Sequence, residues 1–146
     1  MLLSSVAVPR VTATVITLNE SANIAAALES VRWADEIVVV DSESTDDTVA
    51  IARRYTDRVF VRPWPGYVAQ KNWALEQTRG DWVLGVDADE RCTPELRAAI
   101  ETALCGEGPE VGFEVRRHVF YLGRWIDHGG WYPDWKLRLV RRGRAR

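Results

Sequence analysis

Four short apolar runs alternate with four helix-like segments along residues 11–104, and this alternation limits the possible folds more than any other feature of the sequence. The first run, VTATVITL at residues 11–18, is nearly continuous and rich in β-branched residues, which is typical of a strand buried on both faces. Strands that alternate with helices at this spacing are joined by right-handed crossovers. The sequence therefore predicts an α/β fold with three layers and a mostly parallel sheet.

The individual elements follow from their periodicity and from signals at their ends. Apolar residues recur at helical spacing over residues 24–31, and Ser21 stands where it can cap that helix. Gly80 is expected to end the third helix, whereas Thr93 caps the fourth and Pro94 occupies its first position. The expected strands are residues 11–18, 36–40, 58–62 and 81–86, and the expected helices are residues 24–31, 48–55, 68–78 and 94–104.

The chain changes character at the glycine- and proline-containing run GEGP, residues 106–109. Residues 111–122 alternate weakly and are expected to form a hairpin, and residues 135–140 form a final strand-like run. Because an arginine-rich run follows that strand directly, we expect the fold to continue beyond residue 146. The expected organisation is a disordered lead at 1–10, one α/β unit at 11–108 and the start of a second functional part at 109–146.

Basic residues are concentrated near the end of a chain whose formal net charge is −2. Residues 116–146 contain nine Lys or Arg and two Asp, whereas residues 1–115 contain ten Lys or Arg and nineteen Asp or Glu. Such asymmetry indicates an anionic partner for the basic segment, or else a solvated basic face.

Several protein classes are excluded or disfavoured by what the sequence lacks. No run approaches the ~18 apolar residues needed to cross a bilayer, which excludes a membrane-spanning segment within these residues. A Gly-x-Gly-x-x-Gly motif and a Gly-x-x-x-x-Gly-Lys-Ser/Thr motif are both missing, so dinucleotide oxidoreductases and phosphate-loop ATPases are disfavoured. Cys92 and Cys105 have no metal-binding spacing and are expected to be free thiols, as in a reducing cytosol.

Acidic side chains follow three of the predicted strands, at the edge where open parallel sheets bind ligands. Glu20 follows the first strand, Asp41 follows the second, and Asp87 and Asp89 follow the fourth. We expect these four carboxylates to converge, and like charges at short distance require a cation or a hydrogen-bonding ligand between them. Carboxylate oxygens suit Mg²⁺ or Mn²⁺, which keep water ligands and bridge a diphosphate. The sequence therefore predicts a metal–diphosphate pocket of the nucleotide-sugar type.

Seven short motifs stand in a set order: TLNE at 17–20, VVDS at 39–42, STDDT at 44–48, KN at 71–72, DADE at 87–90, GGWYPD at 129–134 and LRL at 137–139. This ordered set resembles the family-2 glycosyltransferases, in particular the branch that contains bacterial lipopolysaccharide-core glucosyltransferases. The resemblance implies the type-A fold of nucleotide-diphospho-sugar transferases, truncated at the C-terminus because members of that branch are usually longer. It also implies an inverting sugar transfer that depends on Mn²⁺ or Mg²⁺.

The resemblance further implies roles for individual residues. Asp89 would ligate the metal, and Lys71 would lie near the base and the diphosphate. Asp134, expected on a loop past the metal motif, would be the general base that takes the proton of the acceptor hydroxyl. The chain's two histidines, His118 and His128, leave open whether a histidine adds a metal ligand. The nucleotide-sugar-binding residues would be Thr17, Asn19, Glu20, Asp41, Ser44, Lys71 and Asp87, and the acceptor-binding residues would be Trp131 and Tyr132.

The expected function is therefore transfer of a sugar from a UDP-sugar to a saccharide or lipid-linked saccharide acceptor, in lipopolysaccharide-core or other cell-envelope glycan synthesis. Residues 11–108 would bind the donor, and residues 109–146 would begin the acceptor-binding part of a cytoplasmic enzyme. The basic segment would contact acceptor phosphates or the inner membrane surface, unless it is a solvated face. Two alternatives stay open: a donor-binding unit that is inactive alone, and a nucleic-acid-binding domain, which the acidic edge disfavours because it repels phosphates.

Overall fold

A six-stranded sheet organises the chain. The structure is a computed structural model and describes residues 8–106, 108–117, 119–121, 124–126 and 134–144. The strands are β1 (Val11–Thr17), β2 (Glu36–Asp41), β3 (Val59–Val61), β4 (Trp82–Asp87), β5 (Gly112–Arg117), β6 (Val119–Tyr121), β7 (Arg124–Ile126) and β8 (Asp134–Arg141). The helices are α1 (Ile24–Ser30), α2 (Thr48–Ala52), α3 (Tyr67–Glu76) and α4 (Pro94–Leu104).

The strand order in the large sheet is β3-β2-β1-β4-β8-β5. The neighbours β3, β2, β1 and β4 pair in parallel, because helices cross over between them. Strand β8 then pairs antiparallel with both β4 and β5. The prediction of an α/β fold with a mostly parallel sheet is confirmed.

Helices cover both faces of the sheet and make the predicted three layers. Val39 of β2 lies in one core with Leu28 of α1 and Ile100 of α4, whereas the adjacent Val38 packs with Ala74 of α3 on the opposite face. This division follows from the two-residue period of a strand. It also explains why β2 is a continuous apolar run and not an alternating one.

Of the two N-terminal caps predicted for the first and fourth helices, the structure confirms one. Thr93 caps α4 as predicted, since its side chain accepts the Leu96 N–H at 3.1 Å. The predicted Ser21 cap is wrong, because α1 starts after Asn23, which makes no side-chain capping bond. A turn precedes this helix, and the carbonyl of Glu20 accepts the Asn23 N–H at 3.0 Å.

Gly80 does not end the third helix, which stops at Glu76. Gly80 instead lies against the start of β1, where its N–H donates to Thr12 Oγ1 at 2.9 Å. A Cβ at this position would stand 2.8 Å from the backbone nitrogen of Thr12, so close approach of two chain segments requires the glycine.

The segment after residue 108 adds two strands to the large sheet. The predicted hairpin over residues 111–122 is wrong: β5 pairs with β8, with Phe113 opposite Leu139. A separate hairpin joins β6 and β7, with Val119 opposite Ile126. The eight-residue β8 offers β5 a long partner in the main sheet. Within the described ranges, none of the helices has the length and apolar character needed to cross a membrane.

Candidate functional site

The candidate site lies where three parallel strands end side by side. Thr17 of β1 is in register with Asp41 of β2, and Ile16 is in register with Asp87 of β4. The loops that follow these strands therefore meet at one edge of the sheet. Ligands of open α/β sheets bind beyond this carboxyl edge.

The loops after β1 and β2 are joined by reciprocal hydrogen bonds. The Asn19 N–H donates to Ser44 Oγ at 2.7 Å, and the Thr45 N–H donates to Asn19 Oδ1 at 2.8 Å. The Glu20 N–H donates to Thr48 Oγ1 at 2.9 Å. Side chains of one loop thus satisfy backbone groups of the other, which fixes both loops before any ligand arrives.

Two residues of these loops adopt left-handed backbone conformations. Asn19 has φ 50° and Glu43 has φ 63°. Asparagine tolerates this region because its short side chain bonds locally, whereas a glutamate there costs roughly 1–2 kcal/mol. Strain of this kind persists only where surrounding contacts hold it, and it is concentrated at functional sites.

Asp41 supports this loop arrangement from below. Its side chain is fully buried, and its carboxylate accepts the Ser44 N–H at 2.8 Å and the Ser44 Oγ–H at 2.5 Å. Because Ser44 Oγ also accepts the Asn19 N–H, a continuous chain of hydrogen bonds runs from Asp41 to Asn19. Asp41 and Ser44 thereby set the shape of the loops, and any direct contact with a nucleotide stays a prediction.

Asp46 holds the same loops together on their outer side. The hydrogen bond from the Thr48 hydroxyl, supported by the Thr48 N–H and by the hydroxyl and N–H of Ser21, lowers the pKa of the Asp46 carboxyl to about 2. The Ser21 N–H donates to Asp46 Oδ2 at 3.2 Å, which ties the β1–α1 loop to the start of α2. The main contacts of Asp46 are these hydrogen bonds between the two loops.

Asp87 lies between two cations at the end of β4. Its carboxylate is 3.8 Å from Lys71 Nζ of α3 and 3.5 Å from Arg138 Nη2 of β8. Arg138 also forms a bidentate pair with Glu90, with Nη1–Oε1 and Nη2–Oε2 distances of 2.9 and 3.1 Å. Burial raises the pKa of the Glu90 carboxyl, while the Asp87 N–H and the Arg138 guanidinium act in the opposite direction.

The four predicted carboxylates do not converge as the sequence suggested. Among the described residues, no group of three or more His, Cys, Asp or Glu side chains is arranged to hold a metal ion. Asp41 bonds to Ser44 and Asp87 pairs with Lys71, while Glu20 accepts the Asn23 side-chain N–H at 3.0 Å. Neighbouring cations and hydrogen-bond donors therefore satisfy these acids separately.

Asp89 differs from the other three predicted carboxylates because it is exposed and has no hydrogen-bond or ion-pair partner in the described part of the chain. It lies in the turn after β4, which the bond from the Glu90 N–H to the Asp87 carbonyl closes at 2.9 Å. Mg²⁺ and Mn²⁺ are commonly held by one or two carboxylates together with substrate phosphates and water. The donor set therefore fits a metal that arrives with a diphosphate.

A cavity of about 260 Å³ lies beside this turn, between α3 and the surface of β1, β4 and β8. Lys71, Asp87 and Arg138 form its polar lining together with Asn72. Gly85 lines it without a side chain, and a Cβ there would find no atom closer than 3.9 Å. The space next to the Asp87 turn is thus open, charged along part of its wall and apolar elsewhere.

Several predicted site residues fall on other parts of the chain. Asp134 is the first residue of β8, with its backbone opposite Arg117, and not part of a loop as expected. The proposed acceptor-binding residues Trp131 and Tyr132, like His118 and His128, lie outside the described residues.

Three residues at this edge, Glu90, Arg138 and Gln70, make contacts that the sequence did not predict. Glu90 lies inside the quoted DADE motif, but its partner Arg138 is 48 residues away and leaves no local signal. Gln70 of α3 is fully buried, donates to Ser42 Oγ at 3.2 Å and leaves its Oε1 without a partner. A polar residue at a position of the predicted helix that faces the sheet was the signal that could have identified Gln70.

Sequence comparison agrees with the geometry of the sheet edge. The profile of glycosyl transferase family 2 matches residues 12–142, so the chain belongs to that family. It is 38% identical to the lipopolysaccharide core biosynthesis glycosyltransferase LpsC of Rhizobium meliloti over 137 residues, 90% of this chain and 51% of LpsC. It is 52% identical to an uncharacterized glycosyltransferase of Rickettsia felis over 93 residues, 63% of this chain and 33% of that protein.

Solved structures of nucleotide-sugar transferases share the fold. The mannosyltransferase PcManGT from Pyrobaculum calidifontis, in complex with GDP-Man and Mn²⁺, has a TM-score of 0.60 and 30% identity over 75% of this chain and 36% of its own. Glucosyl-3-phosphoglycerate synthase from Mycobacterium tuberculosis, in complex with Mg²⁺ and UDP, has a TM-score of 0.55 and 30% identity over 68% of this chain and 41% of its own. The chain therefore has the type-A glycosyltransferase fold, and it spans from 33% to 51% of the length of the relatives just named.

Proposed function

We propose that this chain binds a UDP-sugar together with Mn²⁺ or Mg²⁺ and serves an inverting sugar transfer. The observation that carries the proposal is the exposed Asp89 carboxylate, which has no partner in the described chain and stands beside two loops already locked by hydrogen bonds. A site whose loops are ordered in advance binds its ligand without the cost of ordering them. Two structural neighbours support the proposal, since one is complexed with Mg²⁺ and UDP and the other with GDP-Man and Mn²⁺.

In this proposal Asp89 is the residue that would hold the metal when it arrives with the diphosphate. The bound ion would neutralise the negative charge that develops on the departing nucleoside diphosphate. Lys71, whose side chain is half exposed beside Asp87, adds positive charge near the same group. The nucleotide-sugar pocket would consist of Thr17, Asn19, Glu20, Asp41, Ser44, Lys71 and Asp87.

The acceptor half of the reaction is proposed for the segment 109–146. A hydroxyl nucleophile must lose its proton during attack, and a positioned carboxylate is the usual base. We assign that role to Asp134 and the acceptor contacts to Trp131 and Tyr132. The acceptor is proposed to be a saccharide or lipid-linked saccharide of the lipopolysaccharide core or another envelope glycan, because LpsC acts in lipopolysaccharide core biosynthesis. Such a reaction belongs on the cytoplasmic side of the inner membrane.

The metal assignment can be tested by titrating UDP into the chain calorimetrically, in Mn²⁺ and in EDTA. Asp89→Ala should lose the Mn²⁺-dependent part of the affinity and keep the affinity measured in EDTA. Asp57→Ala is a matched control, because it removes one exposed carboxylate just before β3, at the opposite edge of the sheet. Equal affinity of wild type and Asp89→Ala in Mn²⁺ would overturn the assignment.

The donor assignment needs a separate screen. Thermal shifts with UDP-glucose, UDP-galactose, UDP-N-acetylglucosamine and GDP-mannose, each with and without Mn²⁺, should be largest for a UDP-sugar with the metal. A larger shift with GDP-mannose would contradict the uridine part of the proposal and leave the metal part standing.

A further inference from the structure

Arg138 connects β8 to the turn that carries Asp89. Its side chain is only 13% exposed, and its guanidinium forks onto the Glu90 carboxylate with distances of 2.9 and 3.1 Å. The same Nη2 lies 3.5 Å from Asp87 Oδ2. One arginine thus contacts both Asp87 and Glu90, the first and last residues of the DADE turn.

Glu90 in turn closes that turn through its own side chain. The Asp87 N–H donates to Glu90 Oε1 at 2.8 Å, while the Glu90 N–H donates to the Asp87 carbonyl at 2.9 Å. Glu90 Oε1 is therefore shared between the Asp87 backbone and the Arg138 guanidinium. Because the fork holds both carboxylate oxygens, the Glu90 side chain has one orientation, and that orientation fixes the backbone on either side of Asp89.

We propose that Arg138 is a positioning residue that acts through Glu90 to set the affinity of the Asp89 turn for a metal–nucleoside diphosphate. The inference rests on the proposed function, because it takes Asp89 as the metal ligand. Groups that orient a metal ligand typically change metal affinity by ~10–100-fold when they are removed. Lysine cannot replace the fork, since an ammonium is a single point charge.

The central test is a titration of Mn²⁺ into the chain in the presence of UDP, followed by the electron paramagnetic resonance signal of free Mn²⁺. Arg138→Gln should weaken binding by about tenfold or more, and Arg138→Lys should lie between it and wild type. Arg141→Gln is the matched control on the same strand, because Arg141 contacts the Glu110 carbonyl and the Trp82 ring away from the turn. Wild-type affinity of Arg138→Lys would overturn the requirement for the fork.

A double variant tests whether the effect of Arg138 runs through Glu90. If Arg138 acts through Glu90, the loss caused by Arg138→Gln should largely disappear in a Glu90→Gln background. If instead the two losses add, Arg138 acts by a route other than Glu90, such as Asp87 or the diphosphate itself, and the proposed positioning role is wrong. Thermal unfolding of every variant shows whether it is folded at the titration temperature. If Arg138→Gln is unfolded there, Arg138→Lys still tests the proposal.

Amide hydrogen exchange tests the inference without any ligand. The Asp87 N–H should exchange faster in Arg138→Gln than in wild type, because Glu90 is no longer held as its acceptor, and Arg141→Gln should leave that rate unchanged. Unchanged exchange in Arg138→Gln would overturn the inference whatever the ligand is. A wild-type chain that fails to bind Mn²⁺ in the presence of UDP would overturn the proposed function and, with it, the role of Arg138 in metal affinity. If Asp87 N–H exchange is still faster in Arg138→Gln, Arg138 nevertheless supports the structure of the turn.

Discussion

At the scale of single residues, the polar side chains at the sheet edge are engaged with one another. Asp41 and Ser44 hold the β2–α2 loop, and Asn19 joins that loop to the end of β1. Asp89, one of the four predicted carboxylates, is exposed and has no such partner in the described chain. The arrangement separates residues that shape the site from one that is available to a ligand.

Ser44→Ala should destabilise the fold more than a surface serine substitution does. The change removes the hydroxyl that donates to the buried Asp41 carboxylate and accepts the Asn19 N–H, and hydrogen bonds to charged groups contribute about 1.5–3 kcal/mol. Thr102→Ala is the control, with an expected change within about 0.5 kcal/mol because this exposed hydroxyl of α4 has no side-chain hydrogen bond within the described residues. Urea denaturation of both variants measures the difference, and equal losses would contradict the hydrogen-bond chain.

Asp46 should contribute to stability in a pH-dependent manner. Its pKa is lowered to about 2 in the folded chain from an ordinary value of 3.8, so the folded state favours the charged carboxylate. The contribution is therefore complete above about pH 4–5 and is lost as the pH falls through about 2. Asp46→Asn should flatten this part of the curve of unfolding free energy against pH. If the Asp46→Asn variant shows the same slope as wild type below pH 4, Asp46 makes no such contribution.

At the scale of elements, the prediction from sequence succeeded where the signal is local. β1, β2 and β4 are continuous apolar runs that end in polar residues, and α4 carries both a threonine cap and a proline at its first position. The insertion of β8 between β4 and β5 could not be predicted, because antiparallel pairing of distant segments leaves no periodicity in either one. The same reason explains the incorrect hairpin over residues 111–122.

The candidate site was predictable to a similar degree. The motifs identified the loops after β1, β2 and β4, since all of them follow parallel strands and must share one edge. The partners of the acids were not predictable, because Asp87 meets Lys71 from α3 and Arg138 from β8 only after the chain has folded. The sequence therefore predicted one cation shared by the four carboxylates, whereas in the structure Asp41, Asp87 and Glu20 each have a separate protein partner.

A pair of glycines tests the packing of β4 against its neighbours. Gly80→Ala should cost about 1–3 kcal/mol, because the new Cβ would stand 2.8 Å from the Thr12 nitrogen and 3.0 Å from the Arg10 carbonyl oxygen. Gly85→Ala should be tolerated, since its Cβ meets nothing closer than 3.9 Å at the cavity wall. Thermal or urea unfolding measures both, and a Gly80→Ala variant as stable as Gly85→Ala would contradict the close approach.

At the scale of the whole molecule, one sheet joins the two parts that the sequence distinguishes. β8 pairs with β4 and begins at Asp134, so the strand that supplies Arg138 to the DADE turn also carries the proposed base. The basic segment uses some of its arginines internally, since Arg138 pairs with Glu90 and Arg142 Nε donates to the Gly80 carbonyl at 2.7 Å. Some of the basic residues of segment 116–146 therefore form structural contacts with residues 1–115.

Asp134→Asn should separate donor binding from transfer. The variant should keep Mn²⁺–UDP affinity within about twofold of wild type, because the base contacts the acceptor and not the donor. Transfer from a UDP-sugar to the acceptor should fall by ~10²–10⁴-fold, the usual contribution of a positioned general base. Transfer at the wild-type rate would remove the assignment. A wild-type chain that binds donor without transferring it would favour the donor-binding alternative.

The proposed function requires that the carboxyl edge of β1, β2 and β4 holds a nucleoside diphosphate with a divalent metal at Asp89. Paramagnetic broadening of backbone amide signals by Mn²⁺ in the presence of UDP tests this claim most directly, because the effect falls steeply with distance from the ion. The strongest broadening is expected at residues 87–90, with weaker broadening at 19–20 and 41–45 and none near Asp57. Broadening centred at the amino edge of the sheet, or absent from residues 87–90, would contradict it.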